Sequence, residues 1–388
     1  MYNTSFLKNV IYSLRSPMVL FLKKGGYVMK YPRCVLDSHY HIQNWTDREG
    51  RNIFDSIRQY KEGKGFRSVN LCALSSDHHG TEMVSGAENN IMMALCKLHD
   101  PELYIHGGLV YETFPVPQTV TAGFDPLTQY RELMKIGFDG IKILETKPDQ
   151  AKLIRLSFAD HFYEPFFAAA EQDGTHFIFH VADPITCWGP QGYYADGRPL
   201  PLPYGDGTYP TKEALYDQVM TVLENHPALK FTFAHFFFMS DEMERLASVF
   251  DKFPNVCVDL TPGVEMYGSF GKDPAYTKEF FTKYSDRILF GTDSNDNDYQ
   301  EGNWDIGQQV FDFLVTDKDL DTWGYQFKGI QLDNITANKI LYKNFLQRVS
   351  PTPKQVNIPA LIAYYEKYKH LIKRHDLIEP IEAALNVF

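Results

Sequence analysis

The chain has 388 residues, 44% hydrophobic and 22% charged, a globular profile with ample core material rather than a disordered one. Lys and Arg total 38 against 49 Asp and Glu, and the net charge of −11 argues against a nucleic-acid partner or an anionic membrane surface. Aromatic residues reach 15%, with 29 Phe, 24 Tyr and 4 Trp, an excess that asks for a structural reason.

Residues 1–28 carry Lys8, Arg15 and a short apolar patch from Met18 to Leu22 with no small-residue cleavage site after it, a poor signal peptide. They read as an N-terminal extension, with Met29 the expected native start and 29–388 a single domain. No apolar run approaches the roughly 20 residues needed to span a bilayer. The five cysteines (Cys34, Cys72, Cys96, Cys187, Cys257) form no CxxC pair, so reduced thiols in a cytoplasmic protein are expected.

From residue 33 onward, short apolar or β-branched runs alternate with helix-like stretches. Strands are predicted at Arg33–His41, Ser68–Leu74, Leu103–Val110, Gly140–Leu144, His176–Val181, Lys230–His235, Val256–Leu260 and Arg287–Asp293. Amphipathic helices are predicted between them at Glu82–His99, Pro126–Ile136, His161–Asp173, Thr211–Asn225 and Asp241–Lys252. This alternation implies βαβ units and a parallel sheet, and eight units point to a (β/α)8 TIM barrel. Gly107-Gly108 follows a strand but lacks the third glycine of a dinucleotide loop. A long Gly-, Pro- and Tyr-rich segment, Asp183–Pro210, forms a loop insertion after strand five, and such loops are usually functional. The tail, Gln355–Phe388, reads as C-terminal helices packed on the outside.

Metal-capable side chains gather where strands end. Asp37, His39 and His41 alternate along strand one, and residues two apart share a face about 6–7 Å from each other. Strand five ends at His180, strand six at His235 and strand eight at Asp293. In a barrel these ends meet at the face where catalytic sites lie. Neutral imidazoles with a carboxylate suit Zn, Mn or Fe and leave a position open for water. Asp77-His78-His79 reads as a solvated loop and His176 as a structural residue lower in the barrel. His106 stays open, as does any pocket role for Asp259. Strand alternation places Glu145 on the face opposite Lys142.

In these pieces the sequence resembles the amidohydrolase superfamily, in its amidohydrolase-related (type 2) branch of metal-dependent TIM-barrel hydrolases. The matching segments are VLDSHYHI, GFDGIKI, FIFHVADP, FTFAHF, NVCVDL, RILFGTDS and ITANKILYKNF, from about residue 33 to 347. The resemblance implies His39, His41, His180 and Asp293 as metal ligands, with His235 a further ligand or a substrate-facing acid–base group. It implies one divalent ion, Zn or Mn, with a second if Lys142 is carbamylated. Otherwise Lys142 is paired with an acid or turned toward substrate.

Asp293 is the expected general base toward a metal-activated water, His235 an oxyanion stabiliser, and Asp37 a brace for His39 or its turn. The leading expectation is hydrolysis of an amide, lactone or ester in a small molecule. The alternative is a non-oxidative decarboxylase of an aromatic or unsaturated acid, for which Arg198 would grip the carboxylate. A barrel that has lost catalysis is disfavoured by its retained metal-capable residues. Rim aromatics (Tyr40, Trp45, Trp188, Tyr193, Tyr194, Tyr204, Tyr209, Phe236, Tyr267) suggest a water-excluding lid, with Trp188, Tyr194 and Arg198 lining the pocket. A homodimer would suit such a barrel.

Overall fold

Parallel strands run in chain order around the molecule in the computed structural model, which describes residues 34–74, 86–112, 125–189, 204–263, 265–296, 305–322 and 324–388. They are β1 (Leu36–His41), β2 (Ser68–Cys72), β3 (Tyr104–Gly107), β4 (Gly140–Thr146), β5 (His176–Val181), β6 (Lys230–Phe233), β7 (Cys257–Asp259), β8 (Ile288–Leu289) and β9 (Ser294–Asn295). The sheet order is β8-β7-β6-β5-β4-β3-β2-β1-β9, and every neighbouring pair is parallel. The strands β8 and β9 lie on one run of chain, 288–295, whose first half pairs with β7 and whose second half pairs with β1. Two further bonds stitch this seam, Ser38 N to Phe290 O at 3.1 Å and Asp293 N to His39 O at 2.9 Å. The eighth strand, expected unbroken to Asp293, is therefore interrupted, and through that interruption it closes the barrel.

The helices between strands follow local signals. Asp125 caps Leu127 N, Pro126 opens the helix Pro126–Ile136 (α3), and Gly137 ends it in the left-handed region at φ 111°. Elsewhere the connecting helices are α1 (Ile53–Lys64), α2 (Ala87–His99), α4 (Pro148–Ile154), α5 (Glu164–Gln172), α6 (Lys212–Asn225), α7 (Met243–Lys252), α8 (Met266–Lys272) and α9 (Pro274–Lys283). After the seam come a helix at Ile306–Val315 and an antiparallel hairpin, Asp319–Thr322 with Tyr325–Lys328. The tail forms two helices, Ile358–Tyr368 against α2 and α3, and Ile378–Leu385 against α2.

Phe345 closes the floor of the barrel, packing with Leu36, Tyr104, Cys257 and Leu289. All five cysteines are free and four are buried. Among the described residues no helix is long and apolar enough to cross a membrane. The N-terminal extension with Met29, the Asp77–His79 loop, and Tyr193, Tyr194 and Arg198 lie outside the described residues.

Candidate metal centre

The mouth of the barrel is built from the carboxyl ends of β1, β5, β6 and the β8–β9 seam. Alternation along β1 turns His39 and His41 inward, and their Nε2 atoms come within 3.1 Å of each other. Asp293 holds a left-handed φ of 56°, a conformation that costs most side chains energy but that Asp tolerates. Its Oδ1 lies 3.0 Å from His41 Nε2 and 3.5 Å from His39 Nε2. The three ligand atoms lie within 4.8 Å of one another, a cluster able to hold a divalent ion.

The hydrogen bonds around these rings show that a cation fits. His39 Nδ1 faces Asp259 Oδ2 at 2.9 Å and His41 Nδ1 faces the Cys72 carbonyl at 2.8 Å. Both partners only accept, so each Nδ1 carries the proton and each neutral ring keeps a lone pair on Nε2. The His41 lone pair therefore faces the Asp293 carboxylate across 3.0 Å and the His39 ring across 3.1 Å, with the Lys142 amine donating to His39 Nε2 at 2.8 Å. That arrangement is unfavourable until a proton or a metal ion enters it. Burial, reinforced by the Lys142 charge, pushes His39 down to about 3, so its ring stays neutral as a ligand requires. Burial by itself would raise Asp293. A proton on the His41 Nε2 that faces it, and the charge that proton brings to the cluster in place of a metal ion, outweigh burial and hold Asp293 well below the usual carboxylate range.

His180 and His235 repeat the pattern beside this cluster. His180 Nε2 meets Asp183 Oδ1 at 3.1 Å, and His235 Nδ1 meets the Thr261 carbonyl at 3.2 Å. The remaining nitrogens, His180 Nδ1 and His235 Nε2, face each other at 3.2 Å. Asp293 Oδ2 lies 3.8 Å from His235 Nε2, so one carboxylate connects both pairs of rings. Burial lowers His180 to about 4, against the opposing pull of Asp183.

A left-handed turn positions His235. Residues His235 to Phe238 have φ of 55°, 54°, 60° and 47°. Such a run costs about 1–2 kcal/mol per residue, and its surroundings must overcome that cost. His235 N donates to Asp259 Oδ1 at 2.9 Å, Tyr216 OH to Phe237 O at 2.8 Å, and Lys212 Nζ to Phe238 O at 2.8 Å. The three phenylalanines each fill a different site. Phe236 lies against Phe270 and Phe281, Phe237 stacks on Phe233 at 3.9 Å, and Phe238 stacks on the His235 ring at 4.9 Å.

Lys142 on β4 is buried, and its Nζ lies 2.8 Å from His39 Nε2. Burial pushes this amine below its ordinary range. The pairing of β4 with β5 shifts between Ile143 and Thr146, so strict alternation no longer holds at Glu145. Glu145 lines the same cavity as Lys142 and Leu144, past this irregularity. It accepts from Tyr111 OH at 2.6 Å, and burial raises its carboxyl.

The structure brings together His39, His41, His180, His235, Asp293 and Lys142. Asp37 accepts from His39 N and from the backbone and hydroxyl of Thr292, so it braces the closing seam. Two residues the sequence reading left without a role orient the rings: Asp259 behind His39, and Asp183 behind His180. An inward aspartate at the end of VCVDL, and another three residues beyond His180, were the available signals.

The expected aromatic rim is only partly present. Tyr40, Phe236 and Tyr267 are core residues, and Trp45 packs on Phe54. Trp188, Tyr204 and Tyr209 do form a cluster, edge-to-face and tilted with centroids 5.1 and 4.7 Å apart, and Tyr204 OH donates to Asp183 Oδ2 at 2.7 Å.

Residues 113–344 match the sequence profile of the amidohydrolase family, and the chain belongs to that family. No curated protein matches the sequence. Among solved structures, the fold is similar to an amidohydrolase II at 14% identity and a TM-score of 0.51, covering 81% of this chain and 99% of the other. A 2,6-dihydroxybenzoate decarboxylase from Rhizobium is similar at 14% identity and a TM-score of 0.51, with 82% and 98% covered. A dihydroxybenzoic acid decarboxylase from Polaromonas sp. JS666, with bound manganese and the inhibitor 2-nitroresorcinol, is similar at 14% identity and a TM-score of 0.50, with 81% and 96% covered. A metal-capable triad at the mouth of an amidohydrolase barrel supports a metal-dependent enzyme acting on a small molecule.

Proposed function

We propose that this chain is a metal-dependent decarboxylase of a small aromatic or unsaturated carboxylic acid. The observation that carries the reading is the Lys142 amine, 2.8 Å from His39 Nε2 at the edge of the metal-capable cluster. A fixed cation there neutralises a substrate carboxylate, which a neutral amide or lactone does not need. Lys147 adds a second positive charge. Burial works against it, but Asp149, Asp183 and Asp293 raise it above its usual range. The Rhizobium and Polaromonas proteins carry out this class of reaction, by name, on a similar barrel.

A divalent ion held by His39, His41 and Asp293, with His180 as a further ligand, supplies a Lewis acid toward the substrate's oxygens. Lys142 as an unmodified amine brings no bridging carboxylate, which favours one ion over two, and its contact with His39 Nε2 would give way when that nitrogen takes the ion. The manganese in the Polaromonas protein favours Mn over Zn. Asp293 has the most accessible side chain of the triad, 34% exposed, and its Oδ2 points toward His235. A proton taken from solvent at His235 Nε2, beside Asp293 Oδ2, would pass to the substrate carbon as CO2 leaves. The ring cluster of Trp188, Tyr204 and Tyr209 lies next to His180 through Asp183, and Tyr194 and Arg198, which fall outside the described residues, are proposed substrate contacts on the sequence alone. The same reading takes 29–388 as one domain of a cytoplasmic enzyme, a homodimer in solution, with no nucleic-acid or membrane partner.

Hydrolysis of an amide, lactone or ester is the second reading. It is favoured by the same accessible Asp293, placed as a general base, and by the family's name. Incubating manganese-loaded protein with a panel of aromatic acids, lactones and N-acyl compounds separates the two. CO2 release that EDTA abolishes is expected. New carboxylate without CO2 would establish hydrolysis instead.

A further inference from the structure

Beside the metal-capable cluster, a cavity of about 20 Å³ lies between β3, β4 and α4, lined by Tyr111, Lys142, Glu145 and Gln150 with apolar neighbours. A space of roughly 10–15 Å³ is enough for one oxygen-sized group. Gln150 is 5% exposed, and its Nε2 has no hydrogen-bond partner among the described residues. A buried amide N–H without an acceptor is rare in native proteins and asks what it serves. Across the cavity, Glu145 Oε1 accepts from Tyr111 OH at 2.6 Å and Oε2 from Leu144 N at 2.8 Å. Each carboxylate oxygen keeps a further lone pair, and Lys142 keeps N–H donors beyond its contact with His39.

Two donors and an acceptor around a one-oxygen space complement a hydroxyl. Its oxygen accepts from Gln150 and Lys142, and its O–H donates to Glu145. We propose that this cavity is a hydroxyl subsite, which seats a ring or enol hydroxyl of the substrate beside the metal-capable cluster. Its assignment to a hydroxylated acid rests on the decarboxylase reading, whereas the hydroxyl preference itself does not. In the absence of substrate the same groups bind a water.

Two measurements test this. In a high-resolution crystal structure, an ordered oxygen bonded to Gln150 Nε2 and Glu145 is expected in the wild type and not in Gln150→Met. Gln150 Nε2 bonded to protein atoms instead would overturn the proposal. By calorimetry, manganese-loaded wild type should bind 2,6-dihydroxybenzoate at least tenfold more tightly than benzoate. Gln150→Met should erase most of that ratio with benzoate affinity unchanged, and Tyr111→Phe, which releases Glu145, should reduce it. A ratio unaltered by Gln150→Met would leave a water site only and sink the substrate role. If neither acid binds and lactones are hydrolysed, the decarboxylase reading fails by itself. The subsite then stands or falls on whether Gln150→Met removes a preference for gluconolactone over valerolactone.

Discussion

Two sets of histidines share the interior of this barrel, one above the other. In the lower set, Asn70 Nδ2 donates to Ser38 O at 2.8 Å, which turns its Oδ1 toward His106 Nδ1 at 2.7 Å. His106 Nε2 then accepts from His176 Nδ1 at 2.9 Å, and His176 Nε2 accepts from Thr232 Oγ1 at 2.8 Å. Gly140 makes room for this chain, because a Cβ there would collide with His106 Nε2 and the His176 carbonyl. Every donor meets an acceptor. In the upper set each outer nitrogen donates to Asp259, Cys72 O, Asp183 or Thr261 O, so the inner nitrogens are all acceptors, and only His39 Nε2 has a donor, the Lys142 amine, against it. Both sets are buried and ring-rich, so neither burial nor residue type separates structure from function. Hydrogen-bond polarity does: a closed chain completes itself, and an acceptor-lined gap needs a cation.

The largest effect that could break this contrast is at Asp293. Asp293→Asn keeps a residue that tolerates positive φ, so the fold should persist by circular dichroism. Turnover of whichever substrate the panel identifies should fall by about 10²–10⁴-fold, the usual worth of a positioned proton carrier. Retained activity would remove Asp293 from the chemistry. Next in size is the brace behind His39. Asp259→Asn should weaken manganese binding by about 10–100-fold, measured by competition with a chelator. His176→Gln, in the lower set, should leave manganese affinity unchanged and lower Tm alone. Equal metal loss in both variants would show that the two sets do not differ in kind.

Much of this arrangement was legible in the sequence. The period-two spacing of His39 and His41, and histidines or aspartate closing apolar strands, fall directly on the mouth. The helix Pro126–Ile136 has its expected bounds because Asp125, Pro126 and Gly137 are local signals. What was not legible depends on contacts far apart in the chain or on broken periodicity. Asp259 reaches His39 across 220 residues of sequence. The run from His235 to Phe238 looks like a strand continuing, and only packing against Phe233, Phe270 and Phe281 holds it in a left-handed turn. Likewise the register shift in β4, after which Glu145 lines the cavity with Lys142, leaves no mark in residue type. The aromatic excess acquires its reason in the same places, since many of these rings anchor the turn that carries His235.

Acid stability gives the smallest and most diagnostic difference. Burial pushes His176 and His39 down to about 3 and His180 to about 4, against an ordinary value of about 6.5. As pH falls below about 6.5 the unfolded chain takes up these protons and the folded chain does not. The stability from keeping the rings neutral is therefore complete above about 6.5 and is lost progressively toward pH 4 to 3. Manganese binds the neutral upper rings, and His39 and His180 stay neutral in the folded chain down to about 3 and 4, so the Tm gain it brings should be similar at pH 7 and pH 5 and shrink only toward pH 4. The lower chain binds no ion, and its contribution to the acid slope should be the same with and without manganese. Thermal melts at pH 7, 6, 5 and 4 can check this in wild type and His176→Gln. The variant should flatten the slope by a similar amount under both conditions. A slope that His176→Gln flattens only when manganese is present would mean that the two sets titrate as one unit, with the lower histidines part of the metal centre.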